Sequence, residues 1–242
     1  MLQNPPRRQP RIDQLRGVAI LMMVAFHLCY DLTSVGWAHF KMLDDPFWLN
    51  WRSLIVGSFV FLAGVSLSLS QHGSTRSAHK RLLQLILCAA LVSLVTGIMF
   101  KERFIYFGVL HFFVVATLIT RPLLPYTAAL GVAGVLLLTA GAAPGFDVMN
   151  PRTLNWIGLA SQKPFTEDYA PLIPWLGLLW IGVWVGPRWP MKPARTNTPV
   201  APTTTTLQPI TRGLGFLGRH SLMVYMVHQP LLLGGLLLLQ AL

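Results

Sequence analysis

Long apolar runs, separated by short polar or Gly/Pro-rich intervals, recur along the whole chain. They reach the length a helix needs to cross a bilayer. The pattern predicts seven spans, at 13–33, 49–70, 80–100, 104–120, 125–141, 171–188 and 219–240, the fourth and fifth being short. Turn residues punctuate the series: "HGST" after the second, "RPLLP" between the fourth and fifth, "GAAPG" after the fifth. No internal repeat is visible. The Pro/Thr-rich stretch 189–212 cannot pack a core and reads as a flexible cytoplasmic tether within a single domain over 1–242. The expected class is all-α: a polytopic integral membrane helix bundle of about seven transmembrane helices. The first run begins about a dozen residues in, exceeds a signal-peptide core and lacks a small-residue cleavage site, so it reads as a retained signal anchor.

Composition agrees with this pattern. Hydrophobic residues make up 53% of the chain and charged ones 11%, too little polar surface for a water-soluble domain. A net charge of +11 would suggest nucleic acid in a soluble protein; here it marks topology, and no nucleic-acid partner is expected. With the N-terminus in the cytoplasm, the inner segments hold thirteen basic residues: Arg7, Arg8, Arg11, Arg16, Arg76, Lys80, Arg81, Arg121, Arg188, Lys192, Arg195, Arg212 and Arg219. The outer segments hold six: Lys41, Arg52, Lys101, Arg103, Arg152 and Lys163. Of the eight acids only Asp13 falls inside. That split is what the positive-inside rule predicts, and seven spans then put the C-terminus outside. Cys29 and Cys88 lie far apart in apolar runs and show neither metal spacing nor a disulfide framework.

Ionisable residues inside spans cost about 3 kcal/mol on insertion scales and mark functional sites by default. His27, His111 in "YFGVLHFF" and His228 in "YMVHQP" meet that description. The helical rise puts His27 about 14 Å past Val18, His111 about 10 Å from the outer end of its span and His228 about 14 Å past Arg219, all at middle depths. Asp31 follows His27 by four residues and shares its helix face, where a carboxylate can orient an imidazole as a general base. The plain alternatives are interhelical glue for each histidine and an interfacial ion pair for Asp31. Arg16 lies about 16 Å before His27 on the same helix, at the inner mouth, where a guanidinium suits phosphate. Arg76, Lys80 and Arg81 fall on the same side, although cations flanking spans usually only set topology. The loop 142–170, with Asp147, Trp156, Lys163, Glu167 and Asp168, is long enough to cover a site.

"IDQLRGVAILMMVAFHLCYDL", "FVFLAGVSLSLS", "YFGVLHF", "DYAPLIPWLG" and "LGRHSLMVYMVHQPLL" resemble the small prokaryotic branch of the heparan-alpha-glucosaminide N-acetyltransferase catalytic-domain family. That branch lies in the transmembrane acyltransferase superfamily, beside the acyltransferase type 3 proteins. The resemblance implies a protein of a prokaryotic cytoplasmic (inner) membrane. It would move an acyl group, expected to be acetyl, from cytoplasmic acyl-CoA to a hydroxyl or amine of a glycan or lipid-linked sugar. Acetyl-CoA enters as donor substrate, with no metal. The type 3 proteins carry an arginine and a histidine with ten residues between them in the first span, which Arg16 and His27 match. In the heparan enzymes the catalytic histidine lies after the first span, where His39 is the nearest counterpart. His27 and His39 both stand as candidate bases, with Asp31, His111 and His228 as further catalytic candidates and Arg16, Arg76, Lys80 and Arg81 as donor-binding ones. The competing class is a small transporter or channel with the midplane histidines in a proton or solute path. Neither paired broken helices nor a repeat favours it. A scaffold protein would leave the buried histidines only as glue.

Overall fold

The structure is a computed structural model that describes residues 9–71, 73–189 and 208–241. The expected tether over 190–207 and the inner cations Arg7, Arg8, Lys192 and Arg195 lie outside the described residues. The described chain is helical: α1 (Pro10–Ser34), α2 (Pro46–Leu69), α3 (Thr75–Phe100), α4 (Val109–Thr120), α5 (Thr127–Gly141), the one-turn α6 (Arg152–Asn155), α7 (Leu172–Val185), α8 (Gln208–Arg219) and α9 (Ser221–Gln240). Among these residues five stretches are long and apolar enough to cross a membrane: Pro10–Ser34, Pro46–Leu69, Thr75–Arg103, Val109–Gly141 and Ser221–Gln240. Leu172–Arg188 is apolar but shorter. Seven full-length spans are therefore not what helix length alone delivers. The differences fall on the fourth, fifth and sixth expected spans.

Local chemistry explains the ends. Pro10 opens α1 at a position where its missing N–H costs nothing. Gly36, at φ +81°, closes it in the left-handed conformation that a helix C-terminus favours. Asp45 caps α2 by accepting the Phe47 N–H at 2.8 Å.

The helices gather into two compact bodies. One combines residues 9–59 with 208–241; the other is residues 60–189. The core of the first is Ile20, Met23, Phe26, Met42, Trp48 and Ile55. Trp48 and Trp51 stack at 5.5 Å, and Phe26 meets both edge-on. Helix α9 runs parallel to α1, as the Gln229–Asp31 and Gln240–Val35 hydrogen bonds show. Helix α8 runs antiparallel to α1. A Cβ on Gly17 would overlap the Leu214 carbonyl, and one on Gly218 that of Asp13. Residues 208–212, expected to belong to the tether, form the start of α8. Ile210, Leu214 and Leu217 recur at helical spacing there, with Arg212 and Arg219 on other faces.

In the second body, side-chain partners along α7 set the direction of its neighbours. The α4 end beside Asp168 leads to Thr120, whose hydroxyl accepts from Trp180 Nε1 at 2.9 Å, so α4 runs parallel to α7. Along α5, Gly131 faces Trp184, Gly134 faces Gly177 and Gly141 faces Pro174, so α5 runs the other way. The continuous stretch Val109–Gly141 therefore folds back on itself at the Arg121–Tyr126 turn, which carries Pro122 and Pro125. Its legs rise only about 18 and 22 Å. The end of α3 joins the same pole as the starts of α4 and α7, because Arg152 donates to the Glu102 carbonyl and Glu167 N–H to that of Arg103. The loop 142–170 covers this pole. It is built around Asn155, which is 1% exposed and accepts from Tyr106 and, through its carbonyl, Tyr169. Burial, with the Tyr106 hydroxyl beside it, pushes Tyr169 up to about 12, so it stays a donor.

Candidate functional site

Three of the expected catalytic residues, His27, Asp31 and His228, meet in the first body. The rings of His27 and His228 are edge to face, with centroids 4.8 Å apart and planes at 76°. Each is anchored by its own helix: His27 Nδ1 lies 3.0 Å from the Met23 carbonyl, and His228 Nδ1 lies 2.7 Å from that of Tyr225. A carbonyl only accepts, so each Nδ1 carries the proton and each neutral ring keeps its lone pair on Nε2. Both histidines are thus presented as bases at Nε2. The His27 ring is half-buried, whereas His228 is 8% exposed and its Nε2 has no hydrogen-bond partner.

Asp31 belongs to the same cluster, but its carboxylate is not the group that His27 Nδ1 bonds. The Met23 carbonyl, not Asp31, sets the His27 tautomer. Asp31 is 1% exposed, and its Oδ1 accepts from Gln229 Nε2 at 2.8 Å, while Oδ2 has no partner. Its carboxylate interacts electrostatically with His228. Gln229 Oε1 is likewise buried and unpaired. Leaving a buried polar atom unsatisfied costs about 1–3 kcal/mol, so three such atoms around one hydrogen bond call for an explanation beyond packing. Sequence reasoning passed over Gln229. The available signal was an amide directly after His228 within an apolar run.

His111 lies in the second body and is fully engaged. Its Nδ1 accepts from the Gly108 N–H at 3.2 Å, and its Nε2 lies 3.0 Å from the Ser93 hydroxyl. That hydroxyl donates to the Ile105 carbonyl at 2.6 Å, so it accepts from His111 Nε2–H. Together with Asp168, which accepts from the Val109 N–H at 2.8 Å, the ring caps the start of α4. Neither nitrogen is left for a substrate.

Among the donor-binding candidates, Arg16 is half-buried and pairs with Asp13 at 3.5 Å. Beside them opens a shallow cleft lined by Pro10, Asp13, Gln14, Arg212 and Arg219. Arg76, Lys80 and Arg81 are exposed on the first turns of α3, in the second body. His39 is exposed in the loop after α1. Among the described residues no three His, Cys, Asp or Glu side chains gather as metal ligands would.

Searches among curated proteins and among solved structures return no significant match. A sequence profile described as heparan-alpha-glucosaminide N-acetyltransferase, catalytic, matches residues 8–230. The match includes α1 and the part of α9 that carries His228 and Gln229. The chain, all-helical and with several membrane-length apolar helices, belongs to the heparan-alpha-glucosaminide N-acetyltransferase catalytic-domain family.

Proposed function

We propose that this member of an acetyltransferase family moves an acetyl group from cytoplasmic acetyl-CoA to a hydroxyl or amine of a glycan or lipid-linked sugar, in the cytoplasmic membrane of a prokaryote. The observation that carries this reading is the His27–His228 pair, with both Nδ1 atoms held by carbonyls. In this reading His27 is the base, because its ring is the less enclosed of the two. As the acceptor oxygen or nitrogen attacks the thioester carbonyl, its proton passes to His27 Nε2. The C–S bond then breaks and CoA leaves as the thiolate, to which the imidazolium can return the proton. Asp31, one turn along the same helix, favours the transient positive charge. Arg16, toward the start of the same helix, binds donor phosphate, and Arg76, Lys80 and Arg81 supply further inner-face cations. His111 acts structurally, by holding the start of α4.

The topology that goes with this reading has seven crossings, N-terminus in. The two short legs α4 and α5 count as separate crossings because the chain reverses between them.

The test is transfer of labelled acetyl from acetyl-CoA to membrane glycans by purified protein in proteoliposomes. Wild type should label a glycan and His27→Ala should not. Equal labelling by the two, with His39→Ala inactive, would move the base into the loop after α1.

A further inference from the structure

We propose that Gln229 is a substrate-contacting residue, and that with Asp31 and His228 it grips the sugar acceptor through three hydrogen-bond acceptor atoms. This rests on the transferase reading above and adds to it the group that selects the acceptor.

The argument starts from the one bond these residues share. Gln229 Nε2 donates to Asp31 Oδ1 at 2.8 Å. The amide's other atom, Oε1, and the carboxylate's other atom, Oδ2, are both buried and unpaired. His228, the next residue along α9, adds Nε2, also buried and unpaired. Its Nδ1 hydrogen is committed to Tyr225, so Nε2 is an acceptor in the neutral ring. All three free atoms therefore accept, and none donates. Asp31 and His228 are each more than nine-tenths buried, so bulk water does not serve them.

A group that fits such a set must bring hydrogens. Sugar hydroxyls and an amino group both do so; a carboxylate, phosphate or ether does not. The His27 ring stands edge-on to His228, so a sugar held by these atoms lies beside the base. Clasping Asp31 also orients the Gln229 amide, because only its N–H end can face a carboxylate. The oxygen is thereby turned outward, and the amide cannot flip to offer a donor instead. The cluster discriminates against acceptor-rich ligands by leaving them without partners.

The experiment uses full-length protein in detergent micelles, with D-glucosamine and methyl α-D-glucoside as probes for an amine and for hydroxyls alone. The Gln229→Met variant keeps the side chain's volume and removes both polar atoms. Its KM for the sugar that wild type acetylates should rise on the order of tenfold, as the loss of one hydrogen-bonding group implies, while its KM for acetyl-CoA stays within about twofold. A role confined to packing would instead lower kcat or shift both KM values together, and that result overturns the proposal. A second measurement needs neither turnover nor a variant. The ¹⁵N resonance of His228 Nε2 should move when sugar is added: a shift with D-glucosamine alone identifies the amine as the donor group, and a shift with both sugars identifies a hydroxyl. If neither sugar moves it, the grip does not exist. If wild type shows no acetyl transfer yet the resonance moves, the transferase reading has failed and the sugar site stands.

Discussion

His27 and His111 both lie in apolar helices, and what separates them is the use of their ring nitrogens. His27 spends only Nδ1 on its own helix; His111 spends both, on Gly108 and Ser93. Their substitutions should therefore fail in different ways. Loss of a general base typically slows a reaction about 10²- to 10⁴-fold, so His27→Ala should abolish measurable acetyl transfer and leave the thermal unfolding profile near wild type. His111→Ala should cost about 1–2 kcal/mol, as loss of a helix cap does, and lower Tm. Its transfer rate per folded molecule should fall far less than that of His27→Ala. A stable but inactive His111→Ala would contradict the cap. Sequence spacing placed His27 and His228 at similar depth, and their rings do meet. It did not reveal which nitrogens were occupied, because the partners of His111, Ser93 and the Gly108 N–H, are set by how α3 meets α4. Nor did it show that Asp31 would be claimed by Gln229, which is 198 residues away.

Helices were legible where apolar composition and length coincide. The expected spans 13–33, 49–70 and 219–240 correspond closely to α1, α2 and α9. Helix α8 was hidden because its Pro/Thr-rich approach looks like a tether and because five of its twelve residues are glycine or carry charge. Of its glycines, Gly218 makes sense only against α1, whereas a Cβ at Gly213 would meet nothing. Gly17 and Gly218 let the two backbones touch, so Gly17→Val should force them apart and cost about 1–3 kcal/mol as overpacking does. Thermal unfolding of the purified variant measures this, and an unchanged Tm would show that α8 does not press on α1. The loop 142–170 offers a second element-level check. Tyr169 is neutral in the folded chain, with its ionisation raised from 10.0 to about 12 by burial and the nearby Tyr106. A raised acid favours folding below its ordinary value and loses that contribution as pH climbs toward the folded one. The loop should hold through neutral pH and loosen between 10.0 and about 12. In a phenolate absorbance titration Tyr169 should ionise late, and Tyr169→Phe should remove one phenol from the late component.

For the molecule as a whole, the body of residues 60–189 supplies an argument for orientation that is independent of span counting. The packing of α3, α4, α5 and α7 against one another sorts their ends into two poles. One pole holds Arg76, Lys80, Arg81, Arg121 and Arg188 and no acid. The other holds Lys101, Arg103, Arg152 and Lys163, balanced by Glu102, Asp147, Glu167 and Asp168. The positive-inside rule counts Lys and Arg, and in short segments near the ends of helices five against four would be a weak bias. The loop 142–170 is long, however, and Arg103 and Arg152 there are tied up with Glu167 and the Glu102 carbonyl. The cations of this body that no acid balances therefore gather at the first pole, which should face the cytoplasm. Single cysteines at Ser74 and Gln162, introduced after Cys29 and Cys88 are replaced, report the two poles. Gln162 is chosen over its neighbour because the Ser161 hydroxyl bonds Asp147 and Asn150. A membrane-impermeant maleimide added to intact cells should label position 162 and leave position 74 until the membrane is opened. Labelling of both from outside would place the poles on one side and break the seven-crossing topology. Labelling of position 74 alone would invert it.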